Sequence, residues 1–211
     1  MSVVDSGPRL SRLGIIGGTF DPPHYGHLVL AENARVQLEL DRVLFVVAGQ
    51  PPHKPDRPVT SARHRVAMVE AAIADNAACA LSRVDLARPG PHYTVETLAL
   101  LRQAHPGAAL FFLMGGDSLA EFPTWRDPVG IVRQAWLAVM RRPGYDPDLE
   151  ELERVVPGGP ERVVWLDAPR LDVSASDLRR RVRAELPLRY LVPPSVETYV
   201  REHRLYERNS S

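Results

Sequence analysis

Short, nearly unbroken apolar runs alternate along this chain with stretches where apolar residues recur every three to four positions. Leu13–Ile16, Arg42–Ala48, Ala80–Val84, Leu110–Met114, Trp136–Met140 and Arg162–Leu166 are the short runs and predict strands. Val43 to Val47 is apolar at every position, the pattern of a strand covered on both faces. Tyr25–Leu40, with Leu28, Ala31, Ala34 and Leu38 in step, predicts a helix, as do Ser61–Asp75, Thr94–His105, Pro128–Gln134, Ser176–Ala184 and Ser195–His203. Pro106-Gly107 stops the third of these. Gly49–Thr60 is too rich in proline for a helix or an inner strand and predicts a loop. Repeated strand–helix alternation with buried strands implies an α/β fold: a doubly wound parallel sheet with helices on both faces, closed by a small C-terminal helical portion. In such sheets ligands bind beyond the carboxyl ends of the strands. Two of the predicted strands end there in glycine pairs, Gly17-Gly18 and Gly115-Gly116.

Composition narrows the function. With 211 residues the chain is expected to form one domain, 45% hydrophobic and 25% charged, large enough to hold a core without disulfide or metal. Lys+Arg 26 balances Asp+Glu 26, so no global basic field is available for a nucleic-acid backbone. The single cysteine, Cys79, excludes an internal disulfide and any multi-cysteine zinc site, and reads as a small buried hydrophobe. No apolar run reaches membrane-spanning length and the first residues lack a leader's apolar core, so no membrane is expected and a cytoplasmic location is the default. Lys54, inside the Pro-rich loop, is the single lysine among the 26 basic residues.

The densest chemical signal is Gly17-Gly18-Thr19-Phe20-Asp21-Pro22-Pro23-His24-Tyr25-Gly26-His27, running from the first strand into the first helix. Glycines permit a sharp turn and close approach of a ligand. A helix start presents N–H groups and a positive dipole end that suit phosphate. His24 and His27, three residues apart, share one face of the first turn and can both donate to phosphate oxygens. A zinc site would need a third ligand, and none stands at an obvious spacing. No Gly-Lys-Ser/Thr follows, and the third glycine of the dinucleotide fingerprint is missing, so neither of those phosphate motifs applies.

His24-Tyr-Gly-His27 behind Gly-Gly-Thr-Phe-Asp-Pro resembles the HxGH signature of nucleotidyltransferases. Further blocks follow in the order found in bacterial nicotinate-nucleotide adenylyltransferases. They are Pro51-Pro52-His53-Lys54, Arg63 to Met68, Tyr93 to Leu98, Gly116-Asp117-Ser118-Leu119 with Trp125, Ser174 to Arg179, and Tyr190 to Pro194. The similarity covers about Leu13 to Tyr206. It implies a Rossmann-like fold with a catalytic core from about residue 12 to 206 and flexible tails over 1–10 and 207–211.

The resemblance also implies a reaction. Nicotinate mononucleotide attacks the α-phosphorus of ATP, giving nicotinate adenine dinucleotide and pyrophosphate in NAD biosynthesis. Mg²⁺ is expected to travel with the ATP phosphates, and no tightly bound organic cofactor is expected. His24, His27 and Arg179 take the catalytic role. Gly17, Gly18, Thr19, Phe20, His24, His27, Ser176 and Arg179 are expected at ATP, and Lys54, Tyr93, Thr94, Asp117 and Trp125 at the acceptor nucleotide. Trp125 lies outside a regular apolar run and suits stacking on a pyridine ring. The start of the helix at Tyr93-Thr94 suits the nicotinate carboxylate.

Each assignment has a plainer competitor. Ser174 with Asp177 reads as a capping box, Thr94 and Asp117 as helix N-caps, Trp125 as a core residue and Lys54 as an exposed loop lysine. Asp21 is expected to fix the glycine-rich turn. Ala175 replaces the second serine of the usual Ser-Ser-Thr-x-Ile-Arg pattern, so Ser176 carries the hydroxyl and Ser174 is the weaker candidate. Arg141 and Arg142 end a strand at the site edge. His53, His64, His92, His105 and His203 carry no signal. The competing functions are transfer to nicotinamide mononucleotide or phosphopantetheine, or a nucleotide sensor without turnover. A homo-oligomer is compatible with all of them.

Overall fold

The computed structural model describes residues 10–49, 59–141, 149–169 and 171–207. Six strands form: β1 (Arg12–Gly18), β2 (Arg42–Val47), β3 (Cys79–Ser82), β4 (Ala109–Gly115), β5 (Trp136–Met140) and β6 (Val163–Leu166). They pair in parallel in the order β3-β2-β1-β4-β5-β6. The eight helices among the described residues are α1 (Tyr25–Gln37), α2 (Ala62–Ile73), α3 (Thr94–Ala104), α4 (Gly116–Glu121), α5 (Pro128–Gln134), α6 (Leu149–Val155), α7 (Ala175–Arg183) and α8 (Pro194–Glu202).

The alternation of side chains along each strand feeds two separate cores. Val43, Phe45 and Val47 of β2, with Phe111 and Leu113 of β4, face one layer containing Leu30 and Ala34 of α1, Met68 and Val69 of α2, Leu178 of α7, and Val196 and Val200 of α8. Leu44, Val46, Leu110, Phe112 and Met114 face the other, with Leu98 and Leu101 of α3, Leu119 of α4, Ile131 of α5 and Leu152 of α6. Burial on both faces is why these strands show no polar alternation. Each fully buried Leu, Phe or Val contributes about 1.5–3 kcal/mol from lost hydration.

Element boundaries shift where the backbone turns. The helix expected to reach Leu40 ends at Gln37, because Glu39 takes a left-handed φ of 49° that drops the chain into β2. Strand β3 begins at Cys79 and not at Ala80, and all four of its residues are only half-buried, as befits a sheet edge. Helix α6 was not foreseen: of its seven residues only Leu152 is buried, too little for a helical stripe. Trp136 and Trp165 pack half-buried against the two cores, beneath the guanidinium groups of Arg162 and Arg141, at 4.3 and 5.2 Å.

Candidate active site

The strand order reverses between β1 and β4, whose registers align Leu13 with Leu110 and Ile15 with Phe112. That reversal opens a crevice at their carboxyl ends, where both glycine pairs sit. Two features meet there: a histidine cradle after β1 and an aromatic cavity between β1, β4 and the start of α3.

His24 is the residue before α1 and is extended, with φ −148° and ψ 170°. Its N–H donates to His27 Nδ1 at 3.1 Å. The neutral His27 ring therefore carries its proton on Nε2, as a donor for a ligand. The two rings lie 3.8 Å apart, inclined by 30°. Burial pulls the His24 pKa down to about 4. Burial, and then the neighbouring His24, hold His27 well below its ordinary value. Both rings are neutral at pH 7 and act as hydrogen-bond donors, not fixed cations. His24 Nδ1 is buried and finds no partner among the described residues, which leaves one polar position open. Gly26 makes room for this ring, since a Cβ there would come within 3.0 Å of His24 Nδ1. The helix start offers fewer free donors than expected: the Tyr25 N–H is held by the Leu191 carbonyl and that of His27 by the His24 carbonyl.

Helix α7 delivers Arg179 to this cradle. Its Nη1 donates to the Asp21 carbonyl at 2.6 Å and its Nη2 to Ser176 Oγ at 3.2 Å. Ser174 Oγ accepts the Asp177 N–H at 3.2 Å, so Ser174 is the helix cap. Asp21, 4% exposed, fixes the turn: one carboxylate oxygen accepts from the Tyr206 hydroxyl at 2.8 Å and the other from the Thr60 N–H at 3.2 Å. Burial and the Asp21 carboxylate push the Tyr206 pKa up, so its hydroxyl stays protonated and donating.

Phe20 was expected at ATP, but its side chain is buried. It packs edge-on against His27 at 5.0 Å and against Phe45 at 5.7 Å, supporting the imidazole from behind.

Arg65 joins these loops and was not singled out from the sequence. Only 2% exposed, it donates to the carbonyls of Thr60 (2.8 Å), Thr19 (3.0 Å), Ala48 (2.7 Å) and Gly49 (3.2 Å). It thereby clamps both ends of the Pro-rich segment to the glycine-rich turn. Its signal was an arginine on a stripe shared with Val66, Met68 and Val69, where a surface helix would have a hydrophobe.

The aromatic cavity measures about 170 Å³, a volume suited to a single six-membered ring. Gly17, Gly18 and Thr19 form one wall, Trp125 and Phe112 another, and Tyr93, Thr94 and Thr97 a third. Trp125 is half-buried, held edge-to-face by Phe112 at 5.9 Å and in a tilted contact by Phe122 at 5.5 Å. Tyr93 is the residue before α3, and the Arg126 guanidinium lies 4.7 Å over its ring.

His92, unsignalled in the sequence, also lines the cavity. Its Nε2 lies 3.1 Å from the Arg88 carbonyl. Its ring passes so close to Gly49 that a Cβ there would sit 2.7 Å from Cε1. Asp85, Arg88 and Tyr206 had no sequence signal either. Asp117 sits exposed on the first turn of α4, outside the cavity wall. Lys54, His53, Arg142 and the Pro51–Pro58 loop lie outside the described residues. Cys79 is half-buried, and burial pushes its thiol up to about 11.

The cytidylyltransferase-like family model matches residues 15–181. A probable nicotinate-nucleotide adenylyltransferase of Thermomicrobium roseum is 50% identical over 197 residues, covering 93% of this chain and 92% of its own. One from Bacillus pumilus is 39% identical over 198 residues, covering 94% and 100%. Among solved structures, the Plasmodium falciparum nicotinic acid mononucleotide adenylyltransferase complexed with NaAD superposes with a TM-score of 0.75 at 18% identity, over 93% of this chain and 97% of that one. The same enzyme complexed with APC gives 0.74. With the end of β1, all of α1 and the α7 arginine inside the matched span, the chain belongs to the cytidylyltransferase-like family and, within it, to the nicotinate-nucleotide adenylyltransferases.

Proposed function

We propose that this crevice joins AMP from ATP to nicotinate mononucleotide, releasing pyrophosphate. The observation that carries the reading is that Gly17 to Thr19 belong to both features: they wall the aromatic cavity and lead into the histidine pair. A pyridine ring on Trp125 and a triphosphate on His24 and His27 therefore meet over one stretch of backbone.

In this reading a phosphate oxygen of nicotinate mononucleotide attacks the ATP α-phosphorus. The new O–P bond forms as the bond from the α-phosphorus to the bridging oxygen breaks, and pyrophosphate leaves with that electron pair. The protein need supply no covalent intermediate; its work is positioning and charge stabilisation. His27 Nε2–H and the His24 ring donate to the phosphates. Arg179, pre-set by Asp21 and Ser176, holds a fixed positive charge against the developing negative charge. Thr19 and Ser176 flank the same phosphates. ATP brings Mg²⁺ with it as part of the substrate. The nicotinate ring stacks on Trp125 with its carboxylate at the α3 start, by Tyr93 and Thr94. Lys54 and Asp117 are assigned to the acceptor side on the motif resemblance alone.

No helix among the described residues is long and apolar enough to cross a membrane. We place the reaction in the cytoplasm, in NAD biosynthesis, without a nucleic-acid partner.

The test is pyrophosphate release from Mg·ATP with nicotinate mononucleotide, nicotinamide mononucleotide and phosphopantetheine in parallel, for wild type and His27→Ala. Release with the nicotinate acceptor should exceed the others, and the variant should lose about two or more orders of magnitude of turnover while remaining folded. Release only with phosphopantetheine, or a folded variant with wild-type turnover, overturns the reading.

A further inference from the structure

The α3 side of the aromatic cavity contains a buried carboxylate. Asp85 lines the cavity and is 4% exposed. It accepts from Thr97 Oγ1 at 2.7 and 3.0 Å and pairs with Arg88 Nη2 at 3.0 Å. Arg88 Nη1 pairs at 2.7 Å with Glu96, half exposed in the first turn of α3. One cation thus faces two carboxylates, Asp85 on the cavity wall and Glu96 at the surface, where solvent screens its charge and leaves Asp85 as the one the cavity feels.

A negative wall is the wrong surroundings for an acceptor whose ring bears a carboxylate. Against a largely apolar lining two like charges a few ångströms apart repel more strongly than in bulk solvent. The neutral amide of the corresponding nicotinamide nucleotide does not feel this repulsion. The cluster tolerates an acid only while Asp85 is cancelled. Thr97 helps by spending its hydroxyl on Asp85, but it brings no charge.

We propose that Arg88 is a specificity residue acting through Asp85: by neutralising that carboxylate it lets the cavity accept an acid-bearing pyridine nucleotide in preference to the amide. This rests on the cavity's being the acceptor site. Arg88 touches no substrate in this account; it sets the charge of the wall that does.

The experiment compares kcat/KM for the acid and amide acceptors, at saturating Mg·ATP, in wild type, Arg88→Gln, Arg88→Lys, Asp85→Asn, the Arg88→Gln/Asp85→Asn double variant and Trp125→Ala. Arg88→Gln exposes Asp85 and should lower the acid-to-amide ratio about tenfold or more, chiefly through KM for the acid. Arg88→Lys keeps the charge and should hold the ratio within about threefold of wild type. Asp85→Asn removes the repelling group and should keep or raise the ratio. The double variant should restore what Arg88→Gln lost. A structural role for Arg88 would weaken both acceptors alike and leave the ratio unmoved, which overturns the proposal. So does a double variant no better than Arg88→Gln. Trp125→Ala separates the two levels: if it raises acceptor KM while Arg88→Gln leaves the ratio alone, the site stands and the charge pair fails. If it leaves both acceptor KM values unchanged, the cavity is not the acceptor site and both readings fall.

Discussion

The Arg179 guanidinium donates a 2.6 Å hydrogen bond to the backbone carbonyl of Asp21, 158 residues away in the chain. The arginine is thus oriented by the protein's own contacts, and its second nitrogen is steadied by Ser176 at 3.2 Å. A lysine keeps the charge but not the two-pronged geometry. Arg179→Lys should lower kcat by about tenfold to a hundredfold with only a small change in KM for the acceptor. Steady-state kinetics checks this; a lysine variant with wild-type kcat shows that charge alone suffices.

The histidine pair makes stability pH-dependent. His24 is neutral when folded down to about pH 4, against an ordinary value of 6.5. The unfolded chain therefore takes up a proton that the folded one refuses. The stability this group confers is complete above about pH 6.5, declines as the pH falls, and is gone below about 4. The gap between 6.5 and about 4 corresponds to about 3 kcal/mol, and His27 adds in the same direction. Thermal unfolding at about pH 7.5 and about pH 5 should show a loss in wild type that His24→Gln reduces. Equal losses in both proteins would place the acid sensitivity elsewhere.

Arg65→Met should be among the most damaging single changes. Methionine fills much of the volume but leaves four carbonyls, those of Thr60, Thr19, Ala48 and Gly49, without their donor. Each unsatisfied buried group costs about 1–3 kcal/mol, partly offset by no longer burying a cation. A net destabilisation of about 3 kcal/mol is expected in chemical unfolding. The surviving folded protein should show a raised KM for ATP, because Thr19 is released. Unchanged stability would mean that water replaces the guanidinium.

Gly26→Ala tests the space left for His24. The added methyl would lie 3.0 Å from His24 Nδ1 and 3.1 Å from Cε1, so the ring must turn. Alanine is the better helix former by up to about 1 kcal/mol. Stability should therefore hold or rise while kcat falls about tenfold or more. A fall in both together would point instead to a disrupted helix.

The parts legible in the sequence were those carried by periodicity and local spacing. The all-apolar run Val43 to Val47 announced a strand covered on both faces, and the spacing of His24 and His27 announced neighbouring rings at a helix start, although His24 itself is extended and precedes the helix. What stayed hidden depends on contacts between distant segments. Arg65 stands out only as an arginine on an apolar stripe, and its role is settled by Thr19, Ala48, Gly49 and Thr60 converging on it. Tyr206 looks like tail until its hydroxyl meets Asp21. His92 became a wall residue because Gly49 lets its ring in. The side chain of Phe20 was hidden for the opposite reason: its position in the motif suggested a ligand contact, while the backbone, with a left-handed φ of 50°, places the ring in the core.

The Tyr206 to Asp21 hydrogen bond spans 185 residues. With the Arg179 contact it makes the phosphate turn dependent on segments that dock only after the sheet exists. Contacts of such sequence separation form late, because the closing of long loops must be offset first. During refolding, recovery of ATP binding should therefore trail the appearance of secondary structure. A fragment carrying β1, α1 and β2 contains the entire signature motif yet lacks Arg65, Arg179 and Tyr206, and so has nothing to hold the turn in shape.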